Sequence, residues 1–191
     1  MAQNIKEKRF TMEFTRPTGG VPYTAQDGVF SASSGTTALP MLPVQADDTK
    51  AQWLVADGSY QIKQVKMSKS TASVTNASFD VYFYTSGVTA TQDNQPMDLK
   101  YADKHVRIGK TSLTMLTADS STSTGSEATN TDVNLTFIAI PPNSSNLATD
   151  PGYTQTANDA ALYAQIVATA AYTPGSAEQF FLEVILIRID E

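Results

Sequence analysis

The single histidine is the first place to look for catalytic chemistry in this sequence. His105 is the only imidazole among 191 residues, so no site that needs two histidines can form. A serine triad needs only one histidine, but no Gly-x-Ser-x-Gly segment is present to expose a nucleophile. Because His105 lies between Lys104 and Arg107 near the start of a predicted strand, we interpret it as a surface residue.

Acidic side chains offer two further hypotheses. Asp47 and Asp48 are adjacent in a predicted loop, and a carboxylate pair of the glycosidase kind would have to be completed by the fold. Calcium prefers oxygen ligands, and these are concentrated in one irregular stretch, at Asp93, Asn94, Asp98 and Asp103. The stretch lacks EF-hand spacing, and Asn and Asp also cap turns, so we predict a structural role and no bound metal.

Cofactor and nucleic-acid chemistry lacks its usual motifs. Neither of the two common glycine-rich phosphate loops occurs, and the chain has no cysteine. The net charge of -6 repels polyphosphate and anionic lipid. No apolar run approaches the roughly 20 residues of a membrane helix, and no signal peptide is visible. We therefore predict no enzyme activity, no cofactor, no nucleic acid and no membrane as a partner, and synthesis in the cytoplasm.

Alternation of apolar and polar residues indicates the elements that would carry any site. Phe79, Val81 and Phe83 alternate with polar or aromatic neighbours and form the clearest predicted strand. The run 162–172 fits a helix or a strand, and we predict a strand because Pro174 disfavours continuing a helix. The last run, 180–189, is apolar on both faces, which predicts a central strand covered by the opposite sheet and by another layer or subunit.

These runs predict an all-β fold. Nine or ten strands suit an antiparallel β-sandwich, jelly-roll-like, in a single domain over residues 21–191. The stretches 118–132 and 141–159 are rich in small and polar residues and are predicted to be long loops, either exposed slack or surfaces that order against a neighbour.

Residues 1–20 have two interpretations. They form either an extended N-terminal arm that lies on a neighbouring molecule or an edge strand with a frayed basic tail. The candidate contact residues of this segment are Arg9, Phe10, Met12, Phe14 and Arg16.

Tyr82 and Tyr84 are also candidate interface residues. They fall on the nominally outer face of the clearest strand, and aromatic side chains are enriched in binding patches. Packing on the second face of the sheet is the alternative interpretation.

Several short segments together resemble the small capsid cement, or decoration, proteins of tailed bacteriophages. They begin with an early Arg-Pro and include Tyr23-x-x-x-Asp27, Gly58–Ile62, Ala77–Phe83, Asp93–Met97 with Ala102-Asp103, and Ala171–Pro174 before a long apolar strand. The resemblance spans most of the chain. It implies a β-sandwich on the capsid exterior that associates as a homotrimer.

The function expected from this resemblance is that of a structural virion protein, with the major capsid protein and itself as partners. A cement protein stabilises the shell because it binds the assembled state and not the free subunits. One alternative is another virion component, such as a head fibre base, a tail protein or an adaptor. A second alternative is a carbohydrate-binding β-sandwich, in which Trp53 and the tyrosines would supply stacking platforms.

Overall fold

The computed structural model describes residues 7–19, 21–31, 39–43, 54–117, 125–140, 149–150, 153–154 and 159–189. These ranges contain no α-helix, and their one helical element is the 3-10 helix Tyr101–His105. Within the same ranges, no helix is long and apolar enough to cross a membrane.

The remaining regular structure is strand. In chain order, the strands are β1 Glu7–Thr15, β2 Gly28–Val29, β3 Leu39–Pro43, β4 Leu54–Val55, β5 Ser59–Lys69, β6 Ser78–Tyr84, β7 Arg107–Thr114, β8 Leu116–Thr117, β9 Ser126–Asn130, β10 Leu135–Ile138, β11 Thr149–Asp150, β12 Tyr153–Thr154, β13 Asp159–Ala160, β14 Leu162–Ala168 and β15 Gln179–Arg188.

Two antiparallel sheets pack against each other, as the sequence predicts for an all-β sandwich. Sheet I has the order β8-β9-β5-β15-β1, and β10 pairs with the part of β5 that β9 leaves free. Sheet II has the order β7-β6-β14, with β2 on the other side of β14. Strand β3 pairs with both β14 and β1 and so joins the sheets along one side. Two small ribbons, β11 with β12 and β4 with β13, complete the described pairings.

The pairings are nested in chain order. Strands β2 and β3 share one edge of β14, and β9 and β10 share one edge of β5. Each of these two couples counts as one position, so the described strands of the two sheets, apart from β8, occupy eight positions in chain order. In sheet I, the first position, β1, pairs with the eighth, β15, and the third, β5, pairs with the sixth, β9 and β10. In sheet II, the second position, β2 and β3, pairs with the seventh, β14, and the fourth, β6, pairs with the fifth, β7. This is the pattern of one long hairpin folded over on itself.

The core lies between the sheets and follows the predicted alternation. The inward residues of β15 are fully buried, and they are Phe180, Leu182, Val184 and Leu186. Phe79 of sheet II meets Phe180 of sheet I edge-on, with ring centroids 5.8 Å apart. The ambiguous run 162–172 begins as strand β14, which confirms the strand prediction for that part.

Of the two interpretations of residues 1–20, the strand and not the extended arm is seen for residues 7–15, because β1 pairs with β15 over its whole length. The loop prediction for 118–132 is corrected, because that stretch contains strand β9. It was missed because its inward side chains are small: Ser126 and Ala128 are buried, and neither gives a strong apolar signal.

Candidate functional site

Arg16 and Asp93 form a buried ion pair at the end of the sandwich where β1 finishes. The Arg16 Nη2 atom lies 3.0 Å from Asp93 Oδ2, and both side chains are at most 5% exposed. The Tyr23 hydroxyl donates to Asp93 Oδ1 at 2.6 Å and accepts from Arg16 Nε at 3.0 Å. The backbone N–H of Phe30 also donates to Asp93 Oδ1, at 3.1 Å. Burial raises the pKa of the Tyr23 phenol, so this hydroxyl keeps its proton and remains a donor.

A second buried ion pair joins Lys69 to Glu178. Their side chains are fully buried, with Lys69 Nζ 3.2 Å from Glu178 Oε1. The Tyr172 hydroxyl lies 2.7 Å from both carboxylate oxygens, and the Thr71 hydroxyl donates to Oε1. Lys69 Nζ also donates to the Thr71 carbonyl at 2.8 Å. Burial lowers the pKa of Lys69, and the neighbouring Glu178 opposes that shift.

The two ion pairs belong to one buried polar cluster, which we define as Arg16, Tyr23, Lys69, Asp93, Tyr172 and Glu178. The rings of Tyr23 and Tyr172 are stacked, with centroids 6.2 Å apart and an interplanar angle of 9°. The Tyr23 N–H donates to the Tyr172 carbonyl at 2.8 Å, and the Arg16 N–H donates to the Glu178 carbonyl at 3.0 Å.

The buried polar cluster contains residue types that acids and bases in enzymes use, but its geometry is structural. Its charged side chains pair with one another, and its hydrogen bonds join these side chains to one another and to nearby backbone atoms. Buried charges are tolerated when they are paired and hydrogen-bonded in this way. Because the four charged side chains are at most 5% exposed, a substrate has no access to them. The cluster holds together the end of β5 and the segments that follow β1, β6 and β14.

The calcium hypothesis is not supported where the structure describes its residues. Asp93 pairs with Arg16 and accepts a hydrogen bond from Tyr23. Asn94 lies in a turn with φ of 57°, and its backbone N–H donates to the Gly28 carbonyl at 2.9 Å. Asp103 lies in the 3-10 helix. Within the described ranges, no three His, Cys, Asp or Glu side chains are placed to hold a metal ion. The turn role predicted for this stretch is therefore seen at Asn94.

His105 is exposed at the end of the 3-10 helix, which confirms its predicted surface position. The aspartate pair Asp47-Asp48 and the predicted platform Trp53 lie outside the described residues.

The seven predicted interface residues separate into one exposed and six buried side chains. Arg9 is 53% exposed and lies 3.9 Å from Glu183. The other six are buried in this chain, and they are Phe10, Met12, Phe14, Arg16, Tyr82 and Tyr84. The first three pack in the core and Arg16 belongs to the buried polar cluster. In this conformation only Arg9 presents its side chain to a partner.

Tyr82 and Tyr84 lie on the second face of β6, but that face is not open to solvent. Tyr84 is 2% exposed and its hydroxyl donates to Gln165 Oε1 at 3.4 Å. Lys110 pairs with Asp80 on the same face and lies over the Tyr82 ring, 5.6 Å from its centroid. The alternative interpretation, packing on the second face of the sheet, describes these two tyrosines. Neither is accessible as a platform for a sugar ring.

The outer face of sheet I carries the second apolar face that the sequence predicted for β15. We name Phe181, Ile185, Ile187 and Ile189 the outer row. The first three are partly exposed, and Ile189 is 48% exposed. The row runs along the central strand of the sheet, and nothing in the described part of the chain forms a further layer over it.

Two small depressions lie among the described residues. One of about 250 Å³ is lined by loop residues 89–92 and by Gln95, Pro96, Asp98 and Lys100. Another of about 170 Å³ lies on sheet I beside Glu13 and Phe181. Ligand pockets usually have about 300–1,000 Å³. These two depressions fall short of that range. Lys69 of the buried polar cluster lines the second, but its side chain is fully buried.

No protein-family model matches this chain, and no curated protein matches it. The fold and the contacts described above define it as an all-β protein built from two packed antiparallel sheets.

Proposed function

We propose that this chain is a structural virion protein that binds the outer capsid surface and stabilises the shell, without enzyme activity. The observation that carries the proposal is the contrast between its buried charges and its exposed apolar residues. The buried ion pairs serve internal contacts. The outer row lies on a broad sheet face and not in a cleft. Such a surface suits an extended contact with the surface of another protein.

The nested strand order supports the jelly-roll form of the sandwich. A jelly roll is a double-sheet architecture of eight strands in two Greek keys, and viral capsid proteins are among those built on it. The eight positions of this chain pair first with last, second with seventh, third with sixth and fourth with fifth. Because folds host many functions, this order supports the proposal only as an analogy.

The proposed mechanism is thermodynamic linkage. A protein that binds the assembled shell and not its free subunits lowers the free energy of the shell, by about 2.7 kcal/mol per site at a hundredfold excess over the dissociation constant. The major capsid protein is the proposed partner, on the capsid exterior, and a homotrimer is the proposed form of the bound protein. The buried polar cluster suits this role because it fixes the loops at one end of the sandwich.

The proposal is tested by mixing the purified chain with empty capsid shells and measuring co-sedimentation and the temperature at which shells break. We expect saturable binding and a higher breaking temperature. Electron microscopy of the same sample separates the virion positions: copies over the whole lattice support cement, and a ring at one vertex supports a fibre, tail or adaptor protein. Failure to co-sediment at saturating protein would overturn the proposal, and glycan-array binding would favour the carbohydrate alternative.

A further inference from the structure

Strand β15 departs from the usual pattern of a sheet that has one face in water. Such sheets alternate apolar residues inward with polar residues outward. The neighbouring strands follow this rule: β1 presents Arg9, Thr11 and Glu13 outward, and β5 presents Gln64 and Lys66. In β15, by contrast, three of the four outward positions from residue 181 to 187 are apolar, with Glu183 as the exception.

The outer row therefore has polar strands on both sides. Register pairs Ile185 with Arg9 of β1 and with Gln64 of β5, and it pairs Ile187 with Glu7 and Gln61. Beyond Ser59, the 60% exposed Ile138 of β10 extends the apolar surface next to Ile189. An apolar centre with a polar rim is the arrangement of protein interfaces.

From this arrangement we infer that the outer face of sheet I is the surface through which one copy of the chain contacts a second copy. The charged residues around the outer row suit contact with a second copy, because each copy carries both cations and glutamates there. The face carries Arg9 beside Glu183 at 3.9 Å and Lys66 beside Glu127 at 2.9 Å. In an isologous contact each copy offers the same patch, so cations of one copy can meet the glutamates of the other.

The edges of the strands at the apolar centre are occupied by neighbouring strands. Strand β15 lies between β1 and β5, part of β1 is covered by β3, and β5 is covered by β9 and β10. Strand addition to β15 or β5 is therefore blocked. Packing of two sheets face to face needs no free edge and places them about 10 Å apart.

The size of the face sets the expected strength of the contact. Strand spacing and rise give four neighbouring strands an area of about 600 Å² per copy, or about 1,200 Å² for two copies. This is the lower limit of the area of specific, stable interfaces. We expect reversible association that depends on concentration. The inference deepens the proposed function, because weak contacts between copies become effective when a shell holds many copies close together.

The test compares two variants of the outer row with one matched control. Ile187→Lys places a cation opposite Glu7 within the same sheet, so the monomer should fold, and Ile189→Lys changes a residue that is 48% exposed. Leu99→Lys, at a 44% exposed loop residue, introduces the same charge away from sheet I. Sedimentation velocity is measured over a wide concentration range without shells, and circular dichroism checks the fold.

We expect the wild type and Leu99→Lys to associate, and the two row variants to have a dissociation constant raised roughly tenfold or more. A same-face contact gives dimers. A wild type that forms trimers without dimers would overturn the isologous contact. A wild type that stays monomeric at all concentrations, or association that folded row variants retain, would overturn the inference. A monomer that still binds shells would overturn this inference and leave the proposed function intact. Self-association without shell binding would support this inference and overturn the proposed function.

Discussion

Lys69 and Glu178 have no exposed side-chain surface, whereas Lys66 and Glu127 form an ion pair at the surface of the same sheet. The two pairs share similar chemistry and similar N–O distances, and they differ in solvent access. An exposed pair contributes about 0.2–1 kcal/mol because water and salt screen it. Breaking a buried pair leaves an uncompensated charge and costs about 3–5 kcal/mol.

We therefore predict that Lys69→Met and Glu178→Gln each lower the free energy of unfolding by about 3–5 kcal/mol. The double variant should lose less than the sum of the two, because it removes both charges together. Urea unfolding of the four proteins measures this coupling. Lys66→Met is the matched control and should cost about 1 kcal/mol or less. Additive losses in the double variant would contradict the paired geometry.

Tyr84 gives a prediction for alkaline pH. Burial raises the pKa of its phenol from the ordinary value of 10 to about 12. The folded state then binds this proton more tightly than the unfolded state does. Its contribution to stability is complete below pH 10 and is lost as the pH rises through about 12. Tyr84→Phe should therefore make the fall of unfolding free energy with pH less steep in this window.

The measurement is urea unfolding at several pH values between neutrality and the alkaline limit. Burial lowers the pKa of Lys69, so its titration changes the unfolding free energy in the opposite direction. Lys69 is present in both the wild type and Tyr84→Phe, so its contribution cancels in the difference between their slopes. Tyr101→Phe, at a residue that is 79% exposed, is the control and should leave the slope unchanged. Equal slopes for wild type and Tyr84→Phe would contradict the prediction.

At the scale of elements, β7 depends on one glycine. The ladder between β6 and β7 shifts where Phe83 pairs with Gly109 and Tyr84 pairs with Arg107, so Ile108 is the extra residue of a bulge. Gly109 has φ of 158°, and a Cβ atom there would lie 2.7 Å from Leu135 Cδ2 on β10. This close approach brings the end of sheet II against sheet I.

We predict that Gly109→Ala lowers the free energy of unfolding by about 1–3 kcal/mol, because it combines an unfavourable φ with overpacking. Gly19→Ala separates the two causes. Gly19 also has a positive φ, of 134°, but nothing lies within 4 Å of its would-be Cβ, so this variant should cost less. Thermal unfolding of both variants measures the two losses of stability. Equal losses would show that the contact with Leu135 is unimportant.

At the scale of the whole molecule, the nested pairings join the two ends of the described chain. Strand β1 pairs with β15 from Glu7 opposite Ile187 to Thr15 opposite Gln179. The inward side chains of β1 pack against the core, as shown by Phe14 and Phe180 with ring centroids 5.5 Å apart. Such long-range pairing closes late and makes folding slow compared with helical proteins.

We predict that deletion of residues 1–15 abolishes cooperative unfolding, because it uncovers the inward row of β15 and one edge of that strand. Calorimetry or urea unfolding followed by circular dichroism measures the loss. Arg9→Ala, which changes an exposed side chain of the same strand, should leave stability within about 0.5 kcal/mol. A deleted chain that unfolds cooperatively at the wild-type temperature would return the segment to the role of a dispensable arm.

The sequence by itself determined the class of fold, because alternation is a local property of a strand. Phe79, Val81 and Phe83 and the run 180–189 alternate as strands of a sandwich must, and the structure has strands there. The apolar residues on both faces of β15 predicted cover by the opposite sheet and by another layer or subunit, and the inward face is buried against the opposite sheet as predicted. The break in alternation from Ile62 to Val65 coincides with the bulge at Lys63, which the register with β15 reveals.

Only the tertiary structure decided which residues meet. Arg16 and Asp93 are 77 positions apart, and Lys69 and Glu178 are 109 apart, so no local pattern could pair them. The alternation of β6 assigned Tyr82 and Tyr84 to the second face correctly, but the packing of the rest of the molecule covered that face. The periodicity of a strand is fixed within a few residues, whereas the burial and the partners of its side chains depend on segments that approach from far along the chain.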